Sequence, residues 1–169
     1  MESDNVKDDL NIDVSLIGTV LERAAAMAPE PITATEKPDG IGQLGDFIRR
    51  AAGAGGMYGL LALKMAGTKA QRELLGLSRE ERDTERALQT EFLLLTGDTL
   101  ALPVSHPSAP YLLRALRDAY EAELKNAAAY DAAAGEMPEC ALCALYRRLA
   151  DRERSHAAVL RGIIERTIY

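Results

Sequence analysis

Apolar residues recur at intervals of three and four along most of this chain, the period of an amphipathic helix. Leu74, Leu77, Leu88, Phe92 and Leu95 mark one such stripe, and Leu142, Leu145, Leu149, Leu160 and Ile163 or Ile164 mark another. Each stripe is broken at its middle by two polar residues: Glu81 and Thr84 in the first, Glu153 and His156 in the second. The spacing predicts four long helices, over about residues 43–66, 69–96, 110–134 and 139–167. Ile12, Leu16, Ile17, Val20, Leu21 and Ala24 predict a shorter helix over about 12–28, with Asp13 or Ser15 placed to cap it.

Helix breakers set the boundaries. Pro29, Pro31, Pro38, Gly40 and Gly42 make 29–42 a linker, so the chain divides into an extension over 1–42 and a helical domain over 43–169. Ser78, with Glu81 three residues on, reads as a capping box that starts a new helix or kinks the second one. Gly97 ends that helix, and Gly135 and Pro138 mark the last turn. Pro103, Pro107 and Pro110 make 98–110 extended. At about 3.3–3.6 Å per residue it spans about 40 Å, against about 36 Å for a 24-residue helix. It is long enough to run the length of a bundle and join two helices that point the same way. Gly53, Gly55, Gly56 and Gly59 crowd the first long helix. Each costs roughly 1 kcal/mol against Ala, and they predict a place where another backbone comes close. A phosphate-cradling loop does not fit, because no strand precedes them and no Gly-Lys-Ser/Thr follows.

A displacement of 72 residues sets the chain against itself without a gap. Leu44 meets Leu116, Asp46 meets Asp118, Tyr58 meets Tyr130, Ala62 meets Ala134 and Met65 meets Met137. Leu77 meets Leu149, Glu81 meets Glu153, Arg82 meets Arg154 and Leu88 meets Leu160. The chain reads as two copies of a helix pair. Two mismatches bear on chemistry: Ala51 stands opposite Glu123, and Thr84 opposite His156.

Glu153 and His156 are three residues apart and so share a helix face. A carboxylate and an imidazole there can hold one metal ion, and such donors suit iron, manganese or zinc. The plainer alternative has the two side chains in solvent or bonded to each other. Cys140 and Cys143 form a Cys-x-x-Cys step at a helix start, where the dipole favours a thiolate; small core residues are the plainer reading. His106 reads as a surface-loop histidine. Tyr58 and Tyr130 read as core residues, with Tyr130 placed to hydrogen-bond a site carboxylate. Asp118 and Glu121 belong to a solvated or interface face. Arg79, Glu80, Arg82, Asp83, Glu85 and Arg86 read as a solvated face with intrahelical pairs.

Composition narrows the partners. The 169 residues suffice for one domain with a real core, and 47% are hydrophobic, though only 5% are aromatic and none is Trp. A net charge of −6 argues against nucleic acid. No run reaches the roughly 20 apolar residues of a membrane span. The acidic start Glu2, Ser3, Asp4 lacks the pattern of a signal peptide. Two cysteines make no disulfide framework, and a cytoplasmic protein is expected.

Glu123 ahead of Tyr130, the Glu153-x-x-His156 step and the run from Leu88 to Leu95, Thr96 and Gly97 together resemble the ferritin-like superfamily, in its rubrerythrin-like branch. The resemblance covers about 43–167. It implies an all-α four-helix bundle of two antiparallel pairs joined by a long crossover, to which the chain adds its short N-terminal helix. In that family each pair supplies a Glu from its first helix and a Glu-x-x-His step from its second, and together they hold two irons. Here Ala51 and Thr84 fall in two of those slots. The implied metal set is therefore Glu81, Glu123, Glu153 and His156, around one ion: iron, with manganese or zinc as alternatives. No rubredoxin domain is expected, since only one Cys-x-x-Cys pair is present. A homodimer is implied too.

The resemblance leads to a metal-binding protein of iron or peroxide handling, a non-haem iron oxidoreductase or peroxidase if it is an enzyme, with no catalytic residue identified. The alternative is a non-catalytic scaffold or interaction protein that has lost its metal. A redox module built on Cys140 and Cys143 ranks behind both.

Overall fold

The computed structural model describes residues 40–104, 107–109 and 111–168. Among them the chain forms four helices and no strand: α1 Gly40–Lys64, α2 Lys69–Thr96, α3 Leu112–Gly135 and α4 Ala141–Ile168. The expected short helix over 12–28 with its caps, the linker up to residue 39, and His106 lie outside the described residues. The linker's last residues are helical, because α1 already begins at Gly40.

The ends of α2 follow from local chemistry. The Thr68 hydroxyl accepts the Gln71 backbone N–H at 3.1 Å and caps the start. Gly97 closes the other end at φ 80°, a left-handed conformation that costs glycine little, with its N–H on the Leu93 carbonyl. Between them α2 runs unbroken. The capping box expected at Ser78 does not form, because the buried Ser78 hydroxyl donates instead to the Gly55 carbonyl of α1, at 2.7 Å.

That bond locates the close approach expected of the glycines. A Cβ on Gly55 would lie 3.4 Å from both the Ser78 carbonyl oxygen and the Glu81 Cβ, whereas one on Gly53 would meet nothing within 4 Å. Only part of the glycine run is therefore about packing, and that part brings α1 flush against the middle of α2.

Helix α1 lies along α2, and α3 along α4; α1 meets α3 and α2 meets α4 more briefly. Two apolar clusters fill the interior. One gathers Leu44, Phe47 and Ile48 of α1, Leu88 of α2, Tyr130 of α3 and Tyr146 and Leu149 of α4. The other gathers Tyr58 and Leu61 of α1, Leu74 and Leu77 of α2, Leu116 of α3 and Leu160 and Ile163 of α4. Leu→Ala at such positions costs about 2–5 kcal/mol. The helix order within the clusters makes α1 antiparallel to α2 and α3 antiparallel to α4. The segment after α2 is irregular. Its Leu100 exchanges two backbone hydrogen bonds with the Gln89 side chain, at 2.9 and 3.0 Å, and packs on the first cluster. Ala109 lies in the second. No described helix is long and apolar enough to cross a membrane.

Candidate metal centre

Six polar or charged side chains are buried among the described residues: Ser78, Glu81, Thr84, Glu123, Glu153 and His156. All fall on the helix stretches between the two apolar clusters. The middles of α2, α3 and α4 thus contribute to a polar layer sandwiched by hydrocarbon.

The four expected ligands converge there. One ligand atom each from Glu81, Glu123, Glu153 and His156 lies within 4.8 Å of the others, and all four residues are buried. Helix α2 supplies Glu81, α3 supplies Glu123, and one face of α4 supplies both Glu153 and His156, as their spacing requires. His156 Nδ1 lies 3.0 Å from Glu81 Oε1 and 3.7 Å from Glu123 Oε2. Asn126 Nδ2 donates to Glu153 Oε2 at 3.4 Å. The Tyr58 hydroxyl donates to Glu123 Oε1, while Glu123 Oε2 is buried without any hydrogen-bond partner. An unpaired carboxylate oxygen in such a place costs free energy unless a cation or proton joins it.

The electrostatics follow from this crowding. Burial, and then the Glu123 carboxyl beside it, push Glu153 up to about 10. Burial also raises Glu81, against the pull of His156. For Glu123 burial works upward too, but His156, Glu153 and Tyr58 outweigh it and hold that carboxyl below its usual range. Burial would lower the His156 imidazole, yet the carboxylates of Glu123, Glu81 and Glu80 bring it up to about 10. Burial and Glu123 raise the Tyr58 phenol, which keeps it a donor. Without an added cation the layer therefore holds protons on Glu153 and His156.

Two of its features were missed in the sequence. Glu80, assigned above to a solvated face, is half exposed, but its Oε2 lies 2.9 Å from His156 Nε2. It grips the outer nitrogen of the ring and leaves Nδ1 facing the cluster. The tyrosine bonded to a carboxylate is Tyr58 and not Tyr130. Each tyrosine looks across to the other helix pair: Tyr58 finds Glu123, whereas the counterpart of Glu123 is Ala51. Tyr130 stacks instead, with ring centroids 4.3 Å from Phe47 and 5.8 Å from Tyr146.

Thr84, the counterpart of His156, is fully buried and accepts a hydrogen bond from Arg152 Nη1 at 3.0 Å. Cys143 is buried and donates to the Ala134 carbonyl, while Cys140 is exposed and its sulfur accepts the Cys143 N–H. Cys140 is thus a helix-end residue and not the core residue of the plainer reading. A cleft of about 530 Å³ between α1 and α3 reaches the edge of the layer, where Arg50, Met57, Tyr58, Ala119, Glu123 and Asn126 line it.

A comparison with protein-family models finds no match, and a comparison with the curated proteins finds none either. Among solved structures, hypothetical protein Pfu-1136390-001 from Pyrococcus furiosus is similar, with a TM-score of 0.67 and 26% identity over 80% of this chain and 94% of that one.

Proposed function

We propose that this protein binds one divalent cation at Glu81, Glu123, Glu153 and His156, as a rubrerythrin-like member of the ferritin-like bundles. The observation that carries the reading is the unpartnered, buried Glu123 Oε2 inside a set of three carboxylates and one imidazole. Oxygen and nitrogen donors in that number fit iron, with manganese or zinc as alternatives. The long crossover of that fold type is supported by the segment after α2, whose Leu100 touches one apolar cluster and whose Ala109 the other. A homodimer belongs to the same proposal.

The chain's own residues have clear tasks. Glu80 holds the His156 ring with Nδ1 inward. Tyr58 fixes Glu123 so that its free oxygen faces the cluster. The apolar clusters exclude water from both ends, and the cleft beside Tyr58 gives small solutes a path to one edge. A bound redox-active ion would supply one-electron chemistry toward oxygen or peroxide.

A second reading, a scaffold without metal, draws on the Arg152–Thr84 bond, which fills half of the layer with protein. Metal content separates the two. Protein purified and supplied anaerobically with ferrous iron should retain a stoichiometric ion, lost in Glu153→Ala and His156→Ala. Wild-type protein that stays empty would leave the scaffold reading standing.

A further inference from the structure

The 72-residue offset pairs residues beyond the expected ligands. One position before Glu81 stands Glu80, and one position before Glu153 stands Arg152. Both reach across to the opposite helix in the same way. Glu80 of α2 meets His156 of α4 at 2.9 Å, and Arg152 of α4 meets Thr84 of α2 at 3.0 Å. His156 and Thr84 are themselves counterparts. The two halves of the polar layer are thus built on one plan with opposite charge: an acid on an imidazole in one, a base on a hydroxyl in the other.

We infer that Arg152 takes the place of a second cation, so that the layer accepts one divalent ion, on the His156 side, and rejects another on the Thr84 side. The inference rests on the metal-binding reading above. On the Thr84 side the layer has lost both terminal donors, Ala51 standing for Glu and Thr84 for His. It keeps only Glu81 and Glu153, which the other half also uses. The guanidinium supplies fixed positive charge there, held on the Thr84 hydroxyl at 3.0 Å. With an ion bound, the three buried carboxylates against one guanidinium leave two negative charges, which one divalent ion neutralises, while Glu80 sits half in solvent. A second ion would enter a layer already balanced, beside a like charge, in a medium that screens poorly.

The test is uptake of Mn²⁺ by the full chain, read by metal analysis and calorimetric titration, with helicity checked by circular dichroism. Wild type should take one ion per chain. Arg152→Gln should bind that ion about tenfold more tightly, and Arg152→Lys should behave as wild type. Ala51→Glu with Thr84→His and Arg152→Glu should take two. Two ions in wild type would overturn the inference and leave the metal-binding reading intact. So would a folded triple variant that stays at one, or an Arg152→Gln affinity equal to wild type. Should the triple variant not fold, the single variants decide. No uptake by any of them overturns both the inference and the reading it rests on.

Discussion

Tyr58 donates its hydroxyl to one oxygen of Glu123, and the other oxygen of that carboxylate has no partner. One helix thus anchors a side chain of another while leaving half of it available. Tyr58→Phe removes the anchor and leaves Glu123 buried with less compensation. The metal-free variant should lose roughly 1–3 kcal/mol in urea unfolding. An unchanged midpoint would mean that the bond adds nothing to the fold.

The pH dependence of the metal-free protein follows from the two protonated groups. Glu153 and His156 both stand near 10 when folded, above their unfolded values. Glu153 keeps its proton in the folded chain where the unfolded chain has lost it, so stability falls as pH rises from about 4.5 toward 10. His156 adds a fall between about 6.5 and 10, its contribution being complete below 6.5. Glu123 is held low and acts oppositely, losing its contribution as the medium turns acid. Urea midpoints should therefore peak in mild acid and decline through neutrality. Glu153→Gln should flatten the decline. A midpoint that rises from pH 6 to pH 9 would contradict the assigned protonation.

Those protons must leave when a cation enters. Near pH 7.5, binding of one divalent ion should release about two protons, measurable as a dependence of the calorimetric heat on buffer ionisation enthalpy. Buffer-independent heats would show that the ion does not displace them.

Glu80 touches the centre through His156 alone and is half exposed. Glu80→Gln should therefore leave the fold intact while lowering Mn²⁺ affinity about 10–100-fold. If affinity is retained, ring orientation is set by something else.

The glycines of α1 separate into two kinds. Gly53→Ala should stabilise the protein by up to about 1 kcal/mol, through helix propensity, since nothing lies near the new Cβ. Gly55→Val should destabilise it by about 1–3 kcal/mol, because the side chain meets Ser78 and Glu81. Thermal unfolding of the two variants, expected to move in opposite directions, checks both.

The helices and the buried polar cluster were legible in the sequence for the same reason. Helical periodicity is strong, and Glu81, Glu153 and His156 are conspicuous as breaks in apolar stripes. Glu123 interrupts a stripe made largely of alanine, a weaker signal, and emerged through the resemblance and the internal offset. Glu80 and Arg152 were not legible. Each stands one position before an inward-facing Glu, on the flank of its helix, where charged residues are ordinary. What brings them to the cluster is a long side chain bending back across to the next helix. The offset that aligned Glu81 with Glu153 also aligned Glu80 with Arg152, and their opposite charges were the available clue. Ser78 misled because its hydroxyl had two eligible partners, a local N–H and the Gly55 carbonyl on another helix, and sequence distance says nothing about the second.

The position of the polar layer midway along the bundle also fixes the register of the fold. Leucine and alanine layers are nearly interchangeable, so two helix pairs in contact over a short stretch could slide past one another by a turn, about 5.4 Å, at small cost. A slide here would carry Glu81 of one pair and Glu123, Glu153 and His156 of the other against hydrocarbon and part His156 from Glu80 and Glu81, leaving charges buried and unpaired. The least hydrophobic stretch of the interior is therefore what tells one helix pair where to stop along the other.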